Sequence, residues 1–162
     1  MIQCRSYEER DNQFLKEMFF EAVFWSRQEE DRPTLDEGLS YDYTKDVLRA
    51  FGERQGDIAV IAEFDHEYAG AAFIRYWQAK DEVRGYIDDR IPVLVIGVEK
   101  TYRRRGIGAE LIEALKKEAV RQGIHKVSLC VTKTNIAYHL YEAQGFSIVE
   151  DIVDSYNMVW TY

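Results

Sequence analysis

From Val93 to Val98 the chain reads Val-Leu-Val-Ile-Gly-Val, apolar on both alternating faces and free of ionisable side chains. A strand of that kind tolerates water on neither face, so it lies in the middle of a sheet covered from both sides. Just beyond it, residues 106–122 carry Ile107, Leu111, Leu115 and Ala119 on one stripe. Glu113 and Lys117 pair on the wet side, and Gly123 ends the segment. A buried strand followed closely by an amphipathic helix confines the chain to sheets with helices packed on them.

The flanking sequence extends this pattern. Residues 2–5 predict a short first strand, and Asp11 the N-cap of a helix through Phe14, Leu15, Met18, Phe19, Ala22, Val23 and Trp25. Residues 31–40, with Pro33 and Gly38, read as loop, and 43–51 as a second short helix ended by Gly52. Residues 58–62 and 71–76 form a hairpin turned at Asp65-His66-Glu67. The charged stretch 78–90 shows no clear period. Residues 127–131 predict another buried strand, 135–143 a short helix stopped by Gly145, and 147–153 and 156–160 two closing strands. The expected fold class is therefore α/β (α+β), a mixed sheet with helices on both faces, and 162 residues suit one domain spanning 1–162.

Charge narrows the function classes. Lys and Arg number 21 against 29 Asp and Glu, a formal charge of −8. Broad contact with a phosphate backbone draws on excess positive charge, so nucleic acid is not an expected partner, whereas a small cationic one is favoured. Cys4 and Cys130 show no metal-ligand or redox spacing, and neither do His66, His125 and His139, so no metal site is expected. The start Met1-Ile2-Gln3-Cys4-Arg5 lacks a basic segment followed by an apolar stretch, and no apolar run is long enough to cross a bilayer. Both point to a cytoplasmic protein without a membrane partner.

Between the buried strand and the long helix stand Glu99-Lys100-Thr101-Tyr102-Arg103-Arg104-Arg105-Gly106-Ile107-Gly108. A helix start offers backbone N–H groups without internal partners and the positive end of the macrodipole, which suits an anion. Gly106 and Gly108 remove Cβ atoms where a phosphate would press on the backbone, and three arginines add planar cationic donors. Gly-Lys-Ser/Thr is missing, and Leu111 occupies the third glycine position of a dinucleotide fingerprint.

Arg103-x-x-Gly106-x-Gly108 after a buried strand resembles the coenzyme A signature of the GNAT superfamily of N-acetyltransferases. Downstream, Asn135-Ile136-Ala137-Tyr138-His139-Leu140-Tyr141-Glu142-Ala143-Gln144-Gly145-Phe146 is similar to that family's second block, Asn-x-Ala-x-x-Leu-Tyr-Glu-x-x-Gly-Phe. The resemblance implies a mostly antiparallel, twisted sheet with a central parallel pair of strands, ending near Val98 and Val131, that splay into a V. A bulge at Gly97 is expected to set the splay. It also implies a CoA-binding core at about 92–146. There the pantetheine arm of acetyl-CoA would pair with the backbone at Ile96 and Val98, and its pyrophosphate would rest on the loop of Arg103, Arg104, Arg105, Gly106, Ile107, Gly108 and Ala109. Asn135 would hold the arm from the other side.

The reaction implied is direct transfer of the acetyl group of acetyl-CoA, the one co-substrate expected, to a primary amine. The Val98 N–H would stabilise the oxyanion, and Tyr141 would protonate the departing thiolate. Relatives often carry a glutamate base just after the position of Pro92; Val93 stands there, leaving Asp88, Asp89 and Glu99 as candidates. Phe19, Phe20, Phe24, Trp25, Tyr41 and Tyr43 form an aromatic cluster where the family lines its acceptor pocket. A small cationic amine is the first expectation for the acceptor. Protein amines, or a non-catalytic CoA-binding or regulatory module, stay open as alternatives. So does a homodimer, since closing strands in this family often pair across one.

Overall fold

The apolar segment Val93–Val98 is the fourth of seven strands, midway between the edges of the sheet, as its two-faced apolarity requires. In the computed structural model, which describes residues 1–162, the strands are β1 Ile2–Ser6, β2 Ile58–Phe64, β3 Glu67–Arg75, β4 Val93–Val98, β5 Lys126–Thr132, β6 Ser147–Ile152 and β7 Ser155–Thr161. They are ordered β1-β2-β3-β4-β5-β7-β6, and every neighbouring pair is antiparallel except β4 and β5. The helices are α1 Asn12–Val23, the single turn α2 Leu35–Gly38, α3 Ile107–Arg121 and α4 Ala137–Ala143. No helix is long and apolar enough to cross a membrane.

Each face of the sheet has its own core. Leu111, Ile112 and Leu115 of α3 lie fully buried with Leu94, Val127, Leu129 and Val131. On the opposite face Leu15, Met18 and Phe19 of α1 pack on Ile61, Ala71 and Phe73. Helix periodicity chose both stripes. The β5 strand departs from its sequence reading, because only Val127, Leu129 and Val131 join the apolar core. Ser128, Cys130 and Thr132 alternate onto the α1 side, opposite Asn157 and Ser155 of β7.

Residues 43–51 do not form the expected helix. They run as successive turns in which Val47 N–H donates to Thr44 O, Arg49 to Asp46 O and Phe51 to Leu48 O. The carbonyl that a helix would have used, Val47 O, instead accepts from the fully buried Arg75, whose guanidinium also grips Asp57 at 2.9 and 3.0 Å. Tertiary demand on one carbonyl thus overrides the local pattern. The 31–40 loop contains the single turn α2, capped by Thr34 Oγ1 accepting from Glu37 N–H.

Asp11 precedes α1 as expected, but its carboxylate does not cap that helix. It accepts from Arg5 at 2.7 and 2.8 Å, from Tyr68 Oη at 2.6 Å and from Glu8 N–H at 2.8 Å, tying β1, the entry to α1 and β3 together. The Arg5 guanidinium, with Tyr68 and the Glu8 amide, holds this buried carboxyl well below the usual carboxylate range. The stability it supplies is therefore complete at neutral pH and drains away as the pH falls below about 4, where an unfolded Asp takes up its proton. Asp11→Ala should cost roughly 3 kcal/mol in urea unfolding at pH 7, because it removes the buried carboxylate that holds Arg5, Tyr68 and the Glu8 amide together. The difference from wild type should narrow in acid.

Candidate functional site

The parallel pair is joined at one point only. Val93 faces Ser128, and Ser128 N–H donates to Pro92 O at 3.0 Å; beyond that the two strands part. Each follows its other neighbour instead, β4 along the length of β3 and β5 along the length of β7, and the twist of the two halves draws them apart. The expected bulge at Gly97 is not there, since the β3–β4 register runs unbroken through it. Gly97 is required for another reason: a Cβ would sit 2.3 Å from the carbonyl oxygen of Met18 on α1.

Backbone alternation decides which groups face the gap. Glu99 N–H donates to Ala69 O at 2.8 Å, so Glu99, Gly97 and Val95 address β3. Leu94, Ile96 and Val98 therefore turn their N–H and C=O groups toward β5. At Ile96 and Val98 that neighbour has gone. Arg103 donates from Nε to Val98 O at 3.3 Å and from Nη2 to Glu21 Oε2 at 3.2 Å.

Beside this open edge lies the start of α3. Glu110 N–H, on Gly106 O at 3.1 Å, is the first amide of the helix with a partner, and the amides of residues 104–109 have none in the protein. Arg104 (φ +62°) and Gly106 (φ +81°) adopt left-handed conformations that fold the loop tightly, while Ile107 is buried and anchors it. Arg105 lies over the rings of Phe64 and Tyr102, at 5.2 and 5.7 Å. Of the three arginines only Arg104 is left without a protein partner. Such a loop suits a polyanion on backbone amides, with less direct guanidinium help than the triplet promised.

The second sequence block meets the first here. A Cβ on Gly108 would lie 2.9 Å from Leu140 Cδ2, so α4 packs against the opening turn of α3. Asn135 Oδ1 accepts from Ala137 N–H at 2.9 Å, and its amide NH2 has no partner in the protein. Tyr141 is buried against Phe146, and its burial pushes the phenol up to about 12.

The base candidates separate. Asp88 is half-buried and held ionised, down to about 2, by hydrogen bonds that Arg90 donates to it, and Asp89 accepts from Tyr86 Oη. Glu99 alone is raised, by burial first and then by Glu21 and Glu17 of α1, and it directly follows Val98. In the aromatic cluster Phe19, Phe20 and Phe24 are buried, with Phe24 and Tyr41 edge to face. Tyr43 is 61% exposed, and Trp25 joins no ring contact. Sequence reading missed the polar stripe on β5, although the alternation Val-Ser-Leu-Cys-Val-Thr carries it.

The family model for the Acetyltransferase (GNAT) family matches residues 14–146. The chain belongs to the GNAT acetyltransferase family. Solved structures share its GNAT fold at low identity. The PaiA N-acetyltransferase of Thermoplasma acidophilum, in complex with coenzyme A, is 19% identical with TM-score 0.73, covering 100% of this chain and 99% of that one. YncA of Salmonella typhimurium, with its cofactor acetyl-CoA, is 16% identical with TM-score 0.69, covering 99% and 94%. The ribosomal-protein-S18-alanine N-acetyltransferase of Escherichia coli is 18% identical with TM-score 0.66, again covering 99% and 94%.

In this GNAT chain nothing lies within 4 Å of a Cβ built on Gly106, yet its φ of +81° excludes β-branched residues. Gly106→Val should stay folded and lose CoA affinity by about tenfold or more in titration calorimetry, because the loop amides lose their alignment. Undiminished affinity would contradict the phosphate role of this loop.

Proposed function

We propose that the protein transfers the acetyl group of acetyl-CoA directly to the primary amine of a small molecule, using a CoA-binding core at about 92–146. The observation that carries this reading is the juxtaposition of a strand edge without a strand neighbour, at Ile96 and Val98, with unpaired amides at residues 104–109. The first suits the amide-bearing pantetheine arm, the second its diphosphate. Arg104 adds charge at the diphosphate, and the free amide NH2 of Asn135 faces the arm.

Acetyl-CoA supplies an acyl group already activated as a thioester. Val98 N–H, pointing into the gap, stabilises the oxygen that gains charge as the amine nitrogen bonds to the acetyl carbon. The C–S bond then breaks. Glu99, or a water it holds, takes the proton that the amine must shed. Its raised pKa makes it a better acceptor than an ordinary glutamate, and its neighbours Glu17 and Glu21 favour an amine arriving as a cation.

Tyr141 donates a hydrogen bond to the sulfur. Moving its proton fully, from a phenol near 12 to a thiolate of ordinary pKa near 8.5, is uphill by about 5 kcal/mol, so stabilisation without complete transfer is its role. β4 itself carries no carboxylate, which is what favours a non-catalytic module; Glu99 directly after the strand weighs against that reading.

Thiol release from acetyl-CoA across an amine library tests the reading, and CoA binding without turnover on any amine would refute it. Tyr141→Phe should lower kcat about 100-fold with CoA affinity unchanged. Because Glu99 must be deprotonated to act, activity should fall as the pH drops through its raised pKa. Glu99→Gln should lower kcat/KM by about 100-fold and remove that acidic limb from the profile.

A further inference from the structure

On the α1 side of the sheet, Ser128, Cys130 and Thr132 with Ser155 and Asn157 form a mainly polar stripe, with Val159 opposite Ser128 at its inner end, in contrast to the two apolar cores. The segment preceding β4 folds over its inner end. Ser128 Oγ donates to Gly85 O at 2.7 Å, and a Cβ on Gly85 would fall 3.0 Å from Cys130 N, so the contact is closed and fixed. This pins the adjacent Arg84 over β5 and β7. Between residues 83–86, the outer end of β5 and the β6–β7 turn a cleft of about 370 Å³ remains, lined by Arg84, Cys130, Thr132, Asp154, Ser155 and Asn157. Cys130 and Thr132 also border the gap between β4 and β5, so the cleft opens beside the place where transfer occurs.

One cationic group overhangs it without an ion-pair partner. The Arg84 guanidinium donates to Cys130 Sγ at 3.3 Å and Ser155 Oγ at 3.2 Å and has no carboxylate partner. The side chain is exposed, and these two contacts to neutral atoms orient its guanidinium over the cleft. Asn157 is 4% exposed; its Nδ2 donates to Glu150 Oε1 at 2.9 Å, which fixes the amide's orientation, and its Oδ1 receives no donor. A guanidinium oriented as that of Arg84 is the preferred partner of a carboxylate.

We propose that this cleft receives the acid group of an amino-acid-like acceptor, with Arg84 pairing its carboxylate. The inference rests on the acetyl-transfer reading and names its substrate class: a small amine that also carries a carboxylate. The amine end then lies toward Glu99 across the gap, and the acid end toward Arg84. This places the charge selection on both ends of the acceptor, whereas net charge alone favoured a simple cation.

The test uses CoA-saturated full-length protein and pairs of probes that differ only in the acid group: L-lysine and cadaverine, L-phenylalanine and phenethylamine, L-tyrosine and tyramine. Binding is followed by NMR titration and turnover by thiol release from acetyl-CoA. The acid-bearing member of at least one pair should bind about tenfold to hundredfold more tightly than its partner. Arg84→Gln should bring that ratio toward one, and Arg84→Lys, which keeps the charge, should retain part of it. Equal binding within every pair, or a ratio unmoved in Arg84→Gln, would overturn the proposal and show Arg84 to be a clamp for residues 83–86 only. Preferential binding of the acid members without acetylation of any amine would uphold the cleft and refute the transfer reading.

Discussion

The central strand is hydrogen-bonded fully on one side and at a single point on the other. Every backbone N–H and C=O left unpaired inside a protein is expensive, and a sheet normally removes that expense by continuing its ladder. Here the ladder stops after Val93 and Ser128, and the open edge at Ile96 and Val98 is kept beside the equally unpaired amides at the start of α3. Two deficits of the same kind, set side by side, are what a ligand with amides and a diphosphate relieves. The rest of the molecule holds that arrangement in place.

The means of holding it are spread across the fold. On one side α1 presses its backbone against Gly97, so β4 cannot shift toward that helix. On the other, α3 and α4 meet at Gly108 and Leu140, so the loop and the second block move as one body. The closed end of the V is tied by Ser128 to Gly85 and Pro92. Farther out, Arg5–Asp11 and Arg75–Asp57 fasten β1, β3 and the turns around residue 50 to the same sheet. These buried pairs fix register and position, which a site made of backbone groups needs more than extra stability.

Much of this was legible in the sequence because it depends on local period and local chemistry. The two-faced apolar strand, the stripe of α3, the glycine-bearing helix start and the matching downstream block each declare themselves within a few residues. What was not legible depends on contacts between distant residues. The turns at 43–51 replace a helix because Arg75 claims the Val47 carbonyl, and nothing near Val47 announces that. Gly97 reads as a bulge and is instead a clearance for Met18. The arginine triplet reads as three phosphate ligands, yet Arg103 and Arg105 are engaged within the protein, by Glu21 and by Phe64 with Tyr102. Glu99 stands out from Asp88 and Asp89 only once α1 places two more carboxylates near it and burial raises its pKa.

Backbone amide NMR during titration with coenzyme A tests the central claim most directly. The largest shifts should fall on Ile96, Val98 and the amides of residues 104–109, the groups that have no partner in the protein alone. Saturable binding that leaves those resonances in place and perturbs another part of the sheet would contradict the account.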